Sequence, residues 1–129
     1  MGLVHVYTGD GKGKTTAALG LALRASGQGF RVGALQFMKG NPCCGEHRFL
    51  ERFPAFSLVQ PAQLSSFGQA PEERCAAAQA ALALALQLIV GGEYDLLILD
   101  EILTAANRGL VSVEQVLALL RAKPANLEL

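Results

Sequence analysis

Tryptophan is absent from this 129-residue chain, aromatic residues amount to only 6%, and charged residues to 17%. With 51% apolar residues beside so few charges, an extended disordered segment is excluded, because disorder needs the opposite balance. Neither sign of charge dominates. Eleven Lys and Arg offset eleven Asp and Glu, which argues against a broad nucleic-acid surface. Cysteine is scarce as well. Three, without a spaced framework, do not make a disulfide scaffold and suit a reducing compartment. Cys43 and Cys44 are adjacent in a Pro/Gly-containing loop and lack the His or Cys partners of a zinc site, while Cys75 reads as a small buried helix residue. No charged-then-apolar leader opens the sequence. Its longest apolar stretch, residues 75–90, is interrupted by Gln79 and Gln87 and is too Ala-rich to read as a membrane span. The expectation is one cytoplasmic domain, residues 1–129, with a real core and neither nucleic-acid nor membrane partners.

What the chain does have is the run Thr8-Gly9-Asp10-Gly11-Lys12-Gly13-Lys14-Thr15-Thr16, between an apolar strand-like segment and an Ala/Leu-rich helix-like one. Three glycines let the backbone turn tightly, so its N–H groups can converge on a phosphate without side chains in the way. Lys14 adds a mobile positive charge, and the Thr15 hydroxyl is placed to meet a magnesium ion on the same phosphates. The following helix offers its unpaired N-terminal amides to the anion. The strict pattern wants Gly where Thr8 stands; Gly9 and Gly11 supply the needed freedom. The alternative is a surface turn that happens to precede a helix.

Strand and helix alternate along the rest. Strands are expected at 3–7, 31–37, 56–60 and 95–99, with another beginning at 127–129. Helices are expected at 14–26, 46–52, 72–90 and 113–121, the last opened by a Ser112/Gln115 capping box and closed by Lys123-Pro124. In the long helix Glu72, Gln79 and Gln87 mark one narrow polar stripe, so burial on most sides, against a sheet or a partner subunit, is expected. The run DLLIL suits a strand buried on both faces of a parallel sheet. This order implies an α/β domain with a mostly parallel central sheet and helices on both faces.

Directly after DLLIL come Asp100 and Glu101. Carboxylates at the end of a buried strand emerge at the sheet edge where ligands of open α/β sheets bind, and the phosphate loop emerges there too. Beside a triphosphate they would hold magnesium with Thr15. The alternative task is to cap a helix beginning at Ile102.

Taken together, HVYTGDGKGKTTAALGLALRA, LQFMKG, Gly45-Glu46 and YDLLILDEI resemble the ATP:corrinoid adenosyltransferases over nearly the whole chain. The resemblance implies a RecA-like P-loop fold. It further implies transfer of the 5′-deoxyadenosyl group of MgATP to Co(I) of a corrinoid with release of triphosphate, a homodimer, and a flavoprotein reductase as electron donor. Carried over onto this sequence, Gly9, Asp10, Gly11, Lys12, Gly13, Lys14, Thr15 and Thr16 would embrace the triphosphate. Lys14, Thr15 and Glu101 would be the catalytic residues, with Thr15, Asp100 and Glu101 on the magnesium side. Arg24 matches an arginine near the nucleotide; a solvated helix arginine is its other reading. Lys39 and Glu46 lie in matching loop positions. Phe67, in the short stretch 65–68, would pack against the corrin or anchor its loop. His5 and His47 are read as structural. The family pattern continues past position 129 with a strand ending Thr-Gly-Arg, so a C-terminally shortened domain is expected. Two other readings stay open: a P-loop ATPase or kinase cleaving the β–γ bond, and a nucleotide- or corrinoid-binding paralogue without catalysis.

Overall fold

Parallel strands cannot be joined by hairpins, and the alternation of short apolar runs with helices resolves into crossover units. The computed structural model describes residues 1–38, 44–61 and 70–129. Its elements are α1 (Lys14–Gly27), β1 (Val32–Gln36), α2 (Gly45–Arg52), β2 (Ser57–Val59), α3 (Pro71–Val90), β3 (Leu96–Asp100), α4 (Ile102–Asn107) and α5 (Val113–Ala122). The three strands form a parallel sheet in the order β2-β1-β3. Val32 pairs with Leu96 and Gln36 with Asp100, so β1 and β3 end level with each other. Expected and observed strand bounds differ by a residue or two; β3 runs one residue further, to Asp100 itself.

Period-two alternation assigns the faces. Leu35, Phe37 and Leu97 pack with Ala78, Ala81, Ala85 and Ile89 of α3 and with Leu119 of α5. Val32 and Leu96 point the other way, onto Ala22 of α1. All five residues of β1 are buried. The capping box at Ser112 is present as expected: Gln115 N–H donates to Ser112 Oγ at 3.1 Å, and Ser112 N–H to Gln115 Oε1 at 2.8 Å.

Four expectations are corrected. Residues 3–7 are extended, but they are not an assigned strand. His5 N–H donates to the Leu129 carbonyl and Leu129 N–H to that of Leu3, and Leu3, Val4, Val6 and Tyr7 are exposed. A strand needs ladder partners along its length, and among the described residues these bond only the last residues of the chain. Those last residues make a single parallel bridge to the sheet, Glu128 to Leu96. The Glu128 carboxylate also accepts from Leu3 N–H at 2.7 Å and bonds His5 Nε2 at 2.5 Å, and these two bonds, the Leu3 one foremost, hold its pKa below the usual range.

The other three corrections concern α3. Within this chain it buries Ala77, Ala78, Ala81, Ala85 and Ile89, packs Leu82, Leu84 and Leu88 in part, and leaves Leu86 and Val90 exposed, because the sheet and α5 cover one side of it. Gln79 does not mark a solvated stripe. It donates to the Leu110 carbonyl at 2.9 Å and exchanges hydrogen bonds with Gln115, which ties α3 to the start of α5. Cys75 is exposed, two residues before the buried stripe begins. By length and mean hydropathy (20 residues, 1.3) α3 is apolar enough to cross a membrane; its alanine face is against the sheet.

Candidate nucleotide site

The phosphate loop needs backbone conformations that side chains resist, and glycine supplies them. Gly9 (φ 119°) and Gly13 (φ 104°) both lie in the left-handed half of conformational space. Gly13 is also the N-cap of α1, and no side chain caps the helix there. The first-turn amides of α1 are therefore not claimed by a cap, and the helix dipole adds to their pull on an anion. Lys14 Nζ donates to the Gly9 carbonyl at 2.5 Å and to the Gly11 carbonyl at 2.7 Å, which closes the loop around its own ammonium group. Residues 9–14 are exposed and Thr15 is half-buried. Asp10, Lys12 and Thr16 are all on this exposed rim.

From the sheet side, β3 delivers Asp100. Thr15 Oγ1 donates to Asp100 Oδ1 at 2.9 Å, a bond spanning 85 positions of sequence. The loop and the acidic pair expected from separate motifs are thus brought together. Glu101 adopts φ 64°, the one positive φ outside glycine among the described residues, a conformation that costs about 1–3 kcal/mol. It occupies the N-cap position of α4, yet its side chain makes no capping hydrogen bond. Helix capping therefore does not account for Glu101.

Asp100 has a neighbour inside LQFMKG to which the sequence reading gave no role. Gln36, at the end of β1, places Nε2 at 3.4 Å from Asp100 Oδ2 and at 3.2 Å from Glu46 Oε1. Its Oε1 lies 2.9 Å from both His47 Nε2 and Gln60 Nε2. The signal for it was legible in hindsight: one amide within the otherwise apolar run VGALQF has to find partners where the strand ends. Glu46, expected at a matching loop position, and His47, read as structural, are half-buried members of this cluster.

Other expected site residues are not gathered here. Arg24 is exposed in the last turn of α1, about 15 Å along the helix axis from Lys14 at 1.5 Å per residue. Lys39, Cys43 and Phe67 lie outside the described residues. His5 bonds Glu128, as a structural histidine would. A cavity of about 700 Å³ opens beside the loop, with Thr8, Gly9, Lys14, Thr15, Asp100 and Glu101 along one wall.

Could this set hold magnesium? The hydroxyl and carboxylates are hard oxygen donors, the type that ion prefers. Among the described residues no cluster of three or more His, Cys, Asp or Glu could bind a metal by itself. A cation at Thr15 and Asp100 would therefore complete its shell with phosphate oxygens and water, as magnesium on a nucleotide does. The donors fit that role.

Comparison with known proteins bears on the family. The family model described as ATP:corrinoid adenosyltransferase BtuR/CobO/CobP matches residues 1–129. A corrinoid adenosyltransferase of Pseudomonas aeruginosa is 36% identical over 127 residues, covering 96% of this chain and 62% of that protein. Corrinoid adenosyltransferase CobA of Salmonella typhimurium is 35% identical and the Escherichia coli corrinoid adenosyltransferase 34% identical, each over 123 residues. In both cases the match covers 95% of this chain and 63% of the relative. The chain thus spans somewhat less than two thirds of the length of these relatives.

Proposed function

Because this chain belongs to the ATP:corrinoid adenosyltransferase family, we propose that it transfers the 5′-deoxyadenosyl group of MgATP to Co(I) of a corrinoid and releases inorganic triphosphate. The observation that carries this reading is the Thr15–Asp100 hydrogen bond beneath a glycine-lined loop, since it joins a phosphate cradle to a carboxylate.

In this reaction the C5′–O bond breaks, and its electron pair leaves with the triphosphate. The attacking pair comes from Co(I) of the second substrate, so the protein need not supply a general base. Its task is to stabilise charge gathering on the leaving group, to align the two substrates and to keep water out. The amides of residues 9–16 and the first turn of α1 would bind the phosphate oxygens. Lys14 would exchange its Gly9 and Gly11 carbonyls for a phosphate. Thr15 and Glu101 would lie nearest the metal, with Asp100 orienting Thr15 through the bond already made. Magnesium, when bound, neutralises part of the triphosphate charge. Phe67 belongs to the proposal as a corrin-facing residue and Arg24 as a nucleotide-side one. A homodimer in the cytoplasm, fed electrons by a flavoprotein reductase, completes the reading.

Anaerobic incubation with ATP, magnesium and chemically reduced cobalamin tests it. The expected result is the absorbance change of Co–C bond formation together with intact triphosphate. ADP formed without any corrinoid would replace this reading with an ATPase or kinase. Tight ATP binding with no adenosylcorrinoid under strong reductant would leave a binding protein.

A further inference from the structure

Gln36 is buried to 1% exposure, the one polar side chain so enclosed among the described residues, and it takes no part in the chemistry above. The sheet does not need it. Its strand is otherwise Val, Gly, Ala and Leu, and an apolar residue of similar length would fill the same space without a polar group to satisfy. The carboxamide is instead fully used. Its NH₂ faces two carboxylates, Glu46 and Asp100, and its carbonyl oxygen faces His47 and Gln60. Gln60 Nε2 and His47 Nε2 are also 2.9 Å apart, so the far side of the cluster is closed on itself.

The consequence falls on Asp100. Thr15 holds Oδ1 and Gln36 holds Oδ2, from two different elements. Rotating the carboxylate away from Thr15 means breaking the Gln36 contact as well. Alternation along β1 and β3 places Gln36 and Asp100, paired in register, on the α1 face of the sheet, where Thr15 begins the helix. A neutral amide between Asp100 and Glu46 also lets two carboxylates share one cluster without facing each other directly.

We propose that Gln36 is a positioning residue: its carboxamide fixes the orientation in which Asp100 meets Thr15, and ties that orientation to Glu46 and His47 of α2 and to Gln60 after β2. The inference rests on the MgATP reading of the loop. It predicts that the network governs how readily magnesium joins the bound nucleotide, and that it leaves the metal-free grip on the phosphates alone.

The test measures binding of a fluorescent ATP analogue while magnesium is titrated, for the intact chain, Gln36→Leu and Gln60→Leu, with circular dichroism to establish folding. Gln36→Leu is expected to raise the magnesium concentration at half-saturation roughly five- to tenfold, the scale of one ordinary net hydrogen bond, as suits a 3.4 Å contact. Gln60→Leu, which among the described residues loses bonds to Gln36 and His47 and none to the phosphate loop, should move the same midpoint the same way by roughly twofold or more, since it loosens Gln36. Affinity without magnesium should be unchanged in both. A folded Gln36→Leu with the wild-type midpoint overturns the inference. Should that variant fail to fold, an unchanged midpoint in Gln60→Leu overturns it equally. If the unaltered chain binds no ATP at any magnesium concentration, the nucleotide reading falls and this inference with it, an outcome separate from a variant that binds normally.

Discussion

Two apolar stretches of similar length meet opposite fates in this molecule. VGALQ in β1 is buried at every position, whereas in LVHVY, residues 3–7, Leu3 is 55% and Val6 63% exposed. Composition does not separate them. β1 has a parallel neighbour on each edge, α3 on one face and α1 on the other. Residues 3–7 share backbone bonds with residue 129, plus the Glu128 side chain, and border an open cavity. Burial follows from partners on both edges and both faces, and hydrophobicity alone does not secure it. The polar chemistry then gathers where the well-packed pair of strands ends beside the exposed loop.

Substitutions can break this contrast at either side. The largest expected effect is in the centre: Phe37→Ala, at a fully buried site, should cost about 3–5 kcal/mol in chemical denaturation. Next, Lys14→Ala should reduce adenosyl transfer by roughly 10²–10³-fold, the scale of losing one preorganised charge-stabilising donor. Its denaturation midpoint should stay put, because the exposed ammonium bonds only loop carbonyls. Equal losses of activity and stability would mean that the loop is part of the folding core.

A smaller effect concerns the tie between the two chain ends. The folded state depresses the Glu128 pKa, so its contribution is present above the ordinary carboxylate range and is lost as pH falls through the lowered value. The Leu3 amide shift in NMR should titrate with a midpoint below that of a free glutamate, and Glu128→Gln should remove the step. Core amides of β1 should not follow it. Smallest of all, Val6→Ala should change stability by less than about 0.5 kcal/mol, as surface substitutions do. A loss comparable to that of Phe37→Ala would show that residues 3–7 are packed in solution after all.

Much of the geometry of the candidate site was legible before any coordinates. The GDGKGKTT run was expected to turn on its three glycines, and Gly9 and Gly13, though not Gly11, take positive φ. The acidic pair after DLLIL was expected beside the loop, and Thr15 and Asp100 are in contact. Local patterns of this kind are read easily because strand period, capping residues and turn glycines act within a few positions of one another. Glu46 was less legible. As a charge in a loop it resembles any solvated residue, and the partner it finds at the end of β1 comes only with the fold. Cys75 and the outer face of α3 were misjudged for a related reason. Ala and Leu on all sides of a helix do not say how many neighbours will arrive to cover them.

By itself, then, the sequence determined the alternation of elements, the parallel α/β class, the loop's ability to turn on glycine and the family to which the chain belongs. These rest on short-range sterics and periodicity. Tertiary structure alone decided that residues 3–7 stay exposed, that Arg24 stands a helix length from the loop, and that Gln36 joins Asp100 to α2. Those outcomes depend on which segments become neighbours across the sheet, and parallel pairing brings together residues that lie dozens of positions apart.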